Sequence, residues 1–178
     1  VIIKCVFFPL ISLIFVTSLP LVIVESCSMH HEDRFFSKLF YQDAYFDRWW
    51  DAANQWYINN GISKEQVDSW RFKSGLDMGD IVLAVGAKTE NVNIGDIIIF
   101  NAGKNRPIIH RVVDKKEIDG KVFLGTKGDN FITNPNQLPG GAEENISNDN
   151  LLGKAVLRIP KIGWLKLVFF EPQSEWKC

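Results

Sequence analysis

Apolar and polar positions fall along this chain in three regimes. Residues 1–24, VIIKCVFFPLISLIFVTSLPLVIV, are almost continuously apolar, with Lys4 the single charge. As one helix they extend about 36 Å, enough for a hydrocarbon core of roughly 30 Å. Pro9 and Pro20 kink such a helix, which a membrane tolerates better than water does. A cleaved secretory signal is the rival reading, but its apolar region is usually only about 7–15 residues. Glu25 also sits badly for a lipoprotein cut before Cys27. The run is therefore read as a transmembrane anchor. Lys4 before it, and Glu25, Glu32 and Asp33 beyond it, point to a cytoplasmic N-terminus with the bulk of the chain on the other side. The start at Val1 fits a piece of a longer protein.

The second regime has helical spacing. From Tyr45 to Asn60 the aromatics Phe46, Trp49, Trp50, Trp56 and Tyr57, with Ala53, make one stripe, and Asn59-Asn60-Gly61 is a stop signal. The stripe either caps the core of its own domain or lies in a lipid interface, where Trp and Tyr are favoured. Ser63-Lys64-Glu65-Gln66 is a capping box opening a second short helix. From Asp77 the pattern turns to β. Ile81–Val85, Ile97–Phe100, Ile108–Val113, Val122–Leu124 and Ala155–Ile159 are short β-rich runs between turn residues. Asp119-Gly120 signals a hairpin. Gly79-Asp80-Ile81-Val82 and Gly95-Asp96-Ile97-Ile98 read as two turns that each launch a strand. The Asn-, Pro- and Gly-rich stretch Asn130–Asn150 reads as a long surface loop. The apolar Trp164–Phe170 is too short to span a bilayer and reads as a cover for the sheet or a lipid contact.

Charge narrows the partners. Twenty basic residues against 21 acidic ones give a net charge of -1, which excludes a polyanion-binding footprint, so no nucleic acid partner is expected. Three scattered cysteines (Cys5, Cys27, Cys178) exclude a disulfide framework. The sequon Asn145-Ile146-Ser147 fits an extracytoplasmic location.

The residues able to do chemistry are few. In Ile108–Val113, alternation puts Ile108, His110 and Val112 on one face and Ile109, Arg111 and Val113 on the other. A histidine flanked by apolar residues is most often structural, yet its ordinary pKa of about 6.5 suits a general base. Asp129, after a strand at a Gly turn, either caps that turn or fixes the tautomer of His110. Ser28 is a turn serine or a nucleophile. Ser26, with the backbone N–H of Ser28, is placed to meet a developing oxyanion. His30-His31-Glu32-Asp33 lacks the spacing of a helical zinc motif, since Phe35 stands where the second His would fall, and no metal or other cofactor is expected.

Ser26-Cys27-Ser28-Met29 after an apolar span resembles the Ser-x-Ser-Met box of the type I signal peptidases. Gly79-Asp80-Ile81-Val82, Ile109-His110-Arg111-Val112 and Thr126-Lys127-Gly128-Asp129-Asn130 follow in that family's order, and Leu152-Gly153-Lys154-Ala155 with Arg158-Ile159-Pro160 resembles its closing strand. The resemblance covers residues 10–30 and 77–167. His110, where bacterial members carry Lys, places it with the archaeal and endoplasmic-reticulum branch, and the Trp-rich insert favours the archaeal side. The resemblance implies a mainly β fold: a signal-peptidase-like antiparallel β catalytic domain (25–167) with one N-terminal transmembrane helix (1–24), a small helical insert (31–76) and a C-terminal tail (168–178). It implies a membrane-anchored serine endopeptidase, single-pass in the cell membrane with its catalytic domain outside. Its partners would be preprotein signal peptides, the lipid bilayer, and translocation-machinery or signal-peptidase subunits.

By the same resemblance Ser28 is the nucleophile, His110 the general base, Asp129 an important acid, and Ser26 the oxyanion-hole hydroxyl. One departure stands out. The branch carries a second Asp about six residues after the first, and here Phe131-Ile132-Thr133-Asn134-Pro135-Asn136 has Asn instead. Asp129 then serves alone, or Asn134 or Asn136 orients the histidine, or activity is reduced. The alternative is a non-catalytic membrane-tethered β-domain, a scaffold or a degenerate paralogue.

Overall fold

A computed structural model describes residue 6 and residues 8–31, 42–104, 106–138 and 141–165. Its centre is a 6-stranded sheet in the order β1-β2-β6-β3-β4-β5. The strands are β1 (Leu21–Ile23), β2 (Ile81–Val85), β3 (Ile97–Phe100), β4 (Ile108–Ile118), β5 (Lys121–Lys127) and β6 (Leu151–Ile159). All neighbours pair antiparallel. The fold is thus mainly antiparallel β, as the alternation predicts. Each β-rich run seeds a strand, and β4 and β5 join through Asp119 (φ 51) and Gly120 (φ 72). Two successive positive φ values make a type I′ turn, whose twist matches that of the strands.

The paired Gly-Asp turns share one construction. Asp80 Oδ2 accepts from Asp77 N at 2.8 Å, and Asp96 Oδ2 accepts from Asn93 N at 2.9 Å. Gly79 and Gly95 both have positive φ, and each lies against an indole: an added Cβ would come within 2.1 Å of Trp164 and 2.3 Å of Trp70 respectively. A carboxylate closes each turn, and the glycine lets a Trp lie on it.

Both faces of the sheet are covered. One buries Ile98, Phe100, Val112 and Leu124 beneath Ile146. The other sets Val82, Ile97 and Ala155 against Val24, Met29 and Leu76, and Val113 against the helical insert. In that insert α2 (Gln42–Asn59) presents its stripe inward, with Phe46, Trp49, Trp50, Ala53 and Tyr57 all buried. Of the two readings of the stripe, the structure supports the core cap. The short α3 (Lys64–Asp68) opens on the expected box: Gln66 N donates to Ser63 Oγ, and Ser63 N donates to Gln66 Oε1.

Two expectations need correction. Residues 1–24 are not one helix: α1 runs only from Phe8 to Phe15, and among the described residues no helix is long and apolar enough to cross a membrane. Val16 turns to φ 53, Thr17 Oγ1 donates to Leu152 O at 2.7 Å, and beyond Pro20 the chain pairs with β2 as a strand. Tertiary pairing overrides the apolar run there. Most of residues 1–7 lies outside the described residues, as do 32–41 of the expected insert and 166–178 of the tail. The stretch Asn130–Asn150 is also more than a surface loop. Ile146 and Leu124 exchange backbone hydrogen bonds at 3.0 Å in both directions, which folds the segment onto β5 and buries Asn130, Asn134 and Glu143.

Candidate active site

The segment after β1 is pinned from two sides. Val24 N donates to Asp80 O (2.9 Å), and Leu76 N donates to Met29 O (2.9 Å). From the other side the loop after β5 reaches in: Asn130 N donates to Ser28 O at 2.9 Å, and Asn130 Nδ2 to Cys27 O at 2.9 Å. Gly128 makes this approach possible, because a Cβ there would stand 2.7 Å from Ser28 O. The Thr-Lys-Gly-Asp-Asn block is therefore a brace for the serine-bearing backbone.

That bracing aims two hydroxyls into a cavity of about 770 Å³, with Ser26 Oγ 3.2 Å from Ser28 Oγ. His110, on β4 opposite Ile98, lines the same cavity, as do Asn134 and Leu138. Apolar side chains from Leu21, Ile23, Val24 and Ile108 make much of the wall. Glu25 and Arg106 face each other there, Arg106 NH1 donating to Glu25 Oε2 at 2.6 Å. Against the expectation drawn from three scattered cysteines, Cys27 is disulfide-bonded as well as buried, so it offers no free thiol to compete with Ser28.

Ser26, Ser28, His110 and Asn134 are brought together; Asp129 is not brought to His110. Adjacent residues of a strand face opposite ways, and Asp129 lies on the Arg111 side. There its carboxylate accepts from Arg111 Nε at 2.8 Å and Arg111 NH2 at 2.5 Å, with His31 Nε2 at 3.2 Å. Arg111 spends its other donors on the carbonyls of Arg71, Gly95 and Phe72. Burial alone would raise the Asp129 pKa. The Arg111 charge and the His31 hydrogen bond overcome it and hold the carboxyl well below the usual range. His31 stacks on Trp49 with centroids 4.0 Å apart, and Trp49 Nε1 donates to Asp129 O at 2.9 Å. Asp129 is thus the knot between insert, sheet and brace.

The carboxylate that does meet His110 is Glu143. His110 Nδ1 is in hydrogen-bond contact with Glu143 Oε1, and both side chains are buried. Thr126 Oγ1 donates to Glu143 Oε1 at 3.3 Å, and Leu138 N donates to Glu143 Oε2. Sequence reasoning missed this residue. Its one local hint is an acid between a Gly turn and the apolar Ile146. Asn134 Oδ1 accepts from Thr133 Oγ1 at 2.9 Å, and Asn136 is exposed. Among the described residues Ser28 and His110 share no hydrogen bond, and no group of three His, Cys, Asp or Glu converges as a metal site. His30 Nδ1 instead contacts Asp77 at 2.6 Å, beside Arg158.

Two serine hydroxyls and an imidazole thus line one cleft of an antiparallel β-domain, with a buried carboxylate behind the imidazole. Sequence comparison makes the kinship specific. The chain is 32% identical over 83 residues to the signal peptidase complex catalytic subunit sec11 of Sclerotinia sclerotiorum, covering 46% of this chain and 48% of that one. Over 107 residues it is 28% identical to the corresponding subunit of Chaetomium globosum (59% and 62%). Over 109 residues it is 28% identical to that of Yarrowia lipolytica (60% and 63%). The chain thus spans about half to three-fifths of the length of these relatives. No protein-family model matches it. The similarity bears out the expected kinship with the type I signal peptidase family, on its endoplasmic-reticulum branch. These fungal relatives lend no support to the archaeal side of the expectation.

Proposed function

We propose that this chain is a serine endopeptidase that removes signal peptides from preproteins at a membrane surface. The observation that carries the reading is the convergence of Ser26, Ser28 and His110 on one cavity. Ser28 Oγ attacks the scissile carbonyl carbon and passes its proton to His110. The tetrahedral intermediate's oxyanion is met by Ser26 Oγ and the Ser28 N–H, donors of a kind worth roughly 3–4 kcal/mol of barrier. Collapse breaks the C–N bond, and His110 returns the proton to the departing amine. Water, deprotonated by His110, then hydrolyses the acyl-serine ester and frees Ser28.

The apolar walls beside β1, an edge strand, suit an extended apolar peptide that adds to the sheet. Residues up to Phe15 are taken as part of a membrane anchor, the chain from β1 to residue 167 as the extracytoplasmic catalytic domain and 31–76 as its insert. The compartment is the endoplasmic-reticulum membrane, with other signal-peptidase subunits as partners. These assignments rest on the relatives' names and on the apolar N-terminal sequence. The exposed Leu10, Leu13 and Ile14 of α1 suit contact with lipid.

The second reading, a tethered β-domain without activity, draws on the absence of a Ser28–His110 hydrogen bond among the described residues. Catalytic hydrogen bonds often tighten only with substrate, so the first reading stands ahead. The full chain in detergent, given a preprotein, should release its signal peptide, and Ser28→Ala should release none. Equal cleavage by both proteins would remove Ser28 from the mechanism.

A further inference from the structure

We infer that Glu143 is the positioning residue of His110, supplying from a separate loop the acid that the resemblance expects about six residues after Asp129. The inference rests on the peptidase reading of the same site. Four carboxylate or amide groups compete for the role; Asn136 is exposed, and the geometry separates the other three. Asp129 has both oxygens committed to Arg111 and His31 on the opposite face of β4. Asn134 lines the cavity, but its Oδ1 is taken by Thr133 Oγ1. Among the described residues Glu143 alone meets the imidazole, through His110 Nδ1.

Its setting is that of a fixed group. The side chain is fully buried, its Oε1 also accepts from Thr126 Oγ1, and its Oε2 accepts from Leu138 N. Its own backbone is tied to β5, since Thr126 N donates to Glu143 O at 2.7 Å and Ile146 pairs with Leu124. A buried carboxylate is costly unless paired and hydrogen-bonded. Here Nδ1–H of His110 donates to it, which fixes the tautomer and leaves Nε2 for Ser28 and the leaving amine. The longer Glu side chain reaches from a loop 33 residues beyond His110 in sequence. The Asn at position 134 is then no sign of lost activity, because the acid has moved.

The test uses the full chain in detergent with two independent readouts. Glu143→Gln keeps the shape and removes the charge. It should lower kcat on the order of 10³-fold with KM little changed and the melting temperature near that of the parent, since the equivalent change in a Ser-His-Asp triad costs about 10⁴. Partial recovery of kcat in the Glu143→Gln, Asn134→Asp double variant would support a relocated acid. The second readout needs no turnover: the strongly downfield Nδ1 proton of a histidine bonded to a carboxylate should appear in the NMR spectrum, vanish in His110→Ala and move upfield in Glu143→Gln. If Glu143→Gln does not fold, Glu143→Asp takes its place, with a smaller rate loss and a shifted resonance expected. Parent-like kcat and an unmoved resonance would overturn the role of Glu143 while Ser28→Ala remained inactive. A chain that never cleaves but shows the resonance shift keeps Glu143 and loses the peptidase reading.

Discussion

His110 and Arg111 are neighbours on β4, both buried, and each meets a carboxylate from a different loop. On one face Glu143 holds an imidazole at the rim of a cavity. On the other, Asp129 holds a buried guanidinium that lines no part of that cavity, among Trp70, Arg71 and Phe72. The pairs look alike in sequence, since each is a cation-forming residue with a distant acid. Their surroundings set their work apart. A group at a cavity exchanges its proton with whatever enters, whereas a guanidinium with every donor satisfied exchanges nothing and fixes the backbone around it.

The comparison breaks most sharply on rate. His110→Ala should reduce kcat/KM for a preprotein on the order of 10⁴–10⁶-fold, as removal of a triad base does, and should cost far less in unfolding free energy, because Thr126 Oγ1 and Leu138 N still bond the buried Glu143. A steady-state assay and a melting curve on one preparation check both halves. Were unfolding to suffer as much as rate, the cavity face would be structural too.

Arg111→Met should do the reverse. It leaves Asp129 buried without the guanidinium that both its oxygens bond, and breaking a buried pair from one side costs about 3–5 kcal/mol. Denaturant titration at neutral pH reads that loss directly. Because the folded-state Asp129 pKa is depressed, its stabilisation is present above the unfolded value of about 3.9 and is lost as pH falls below it. The parent's advantage over Arg111→Met should therefore shrink on acidification below about pH 4.

A smaller effect joins the faces. Gly128→Ala puts a methyl 2.7 Å from Ser28 O and from the Asn134 side chain. Overpacking of this kind costs about 1–3 kcal/mol, and here it also pushes the serine backbone out of line. Activity should fall more than stability does, measured as kcat against unfolding free energy. A loss of stability with unchanged kcat would show that the brace does not set the position of Ser28.

Local signals were legible in the sequence and long-range ones were not. The five strands from Ile81 onward, the Asp119-Gly120 hairpin, the Ser63 box and the helical stripe of α2, though not the side it faces, all follow from neighbours a few residues apart. So does the parity that separates His110 from Arg111. That parity alone removes Asp129 from the histidine once Asp129 is seen beside Arg111, but the pairing lies 18 residues away and no spacing announces it. The end of α1 at Phe15 depends on Leu21–Ile23 finding β2, a contact the apolar run does not encode. Glu143 was hidden most deeply, because a Gly- and Asn-rich stretch reads as exposed until Ile146 is seen to pair with Leu124.

Lys127 offers the finest test, since it lies between the two acids. Its ammonium donates to Gly128 O at 2.8 Å and sits 5.3 Å from the centroid of the Trp56 ring. Burial pushes its pKa down to about 8, against the pull of Asp129 and Glu143. An unfolded lysine keeps its proton to about pH 10.4. Between those values the unfolded chain binds more protons than the folded one, so stability rises with pH. Below pH 8 both states are charged, and the folded state bears the whole desolvation cost. Lys127→Met should therefore be more stable than the parent at pH 7, on the order of 1–3 kcal/mol, less about 1 kcal/mol for the lost hydrogen bond. The gap should close as pH rises from 8 to 10 in paired denaturant titrations. A gap that ignores pH would mean that Asp129 and Glu143 compensate the buried ammonium in full, and the two faces would then be coupled through Lys127 rather than independent.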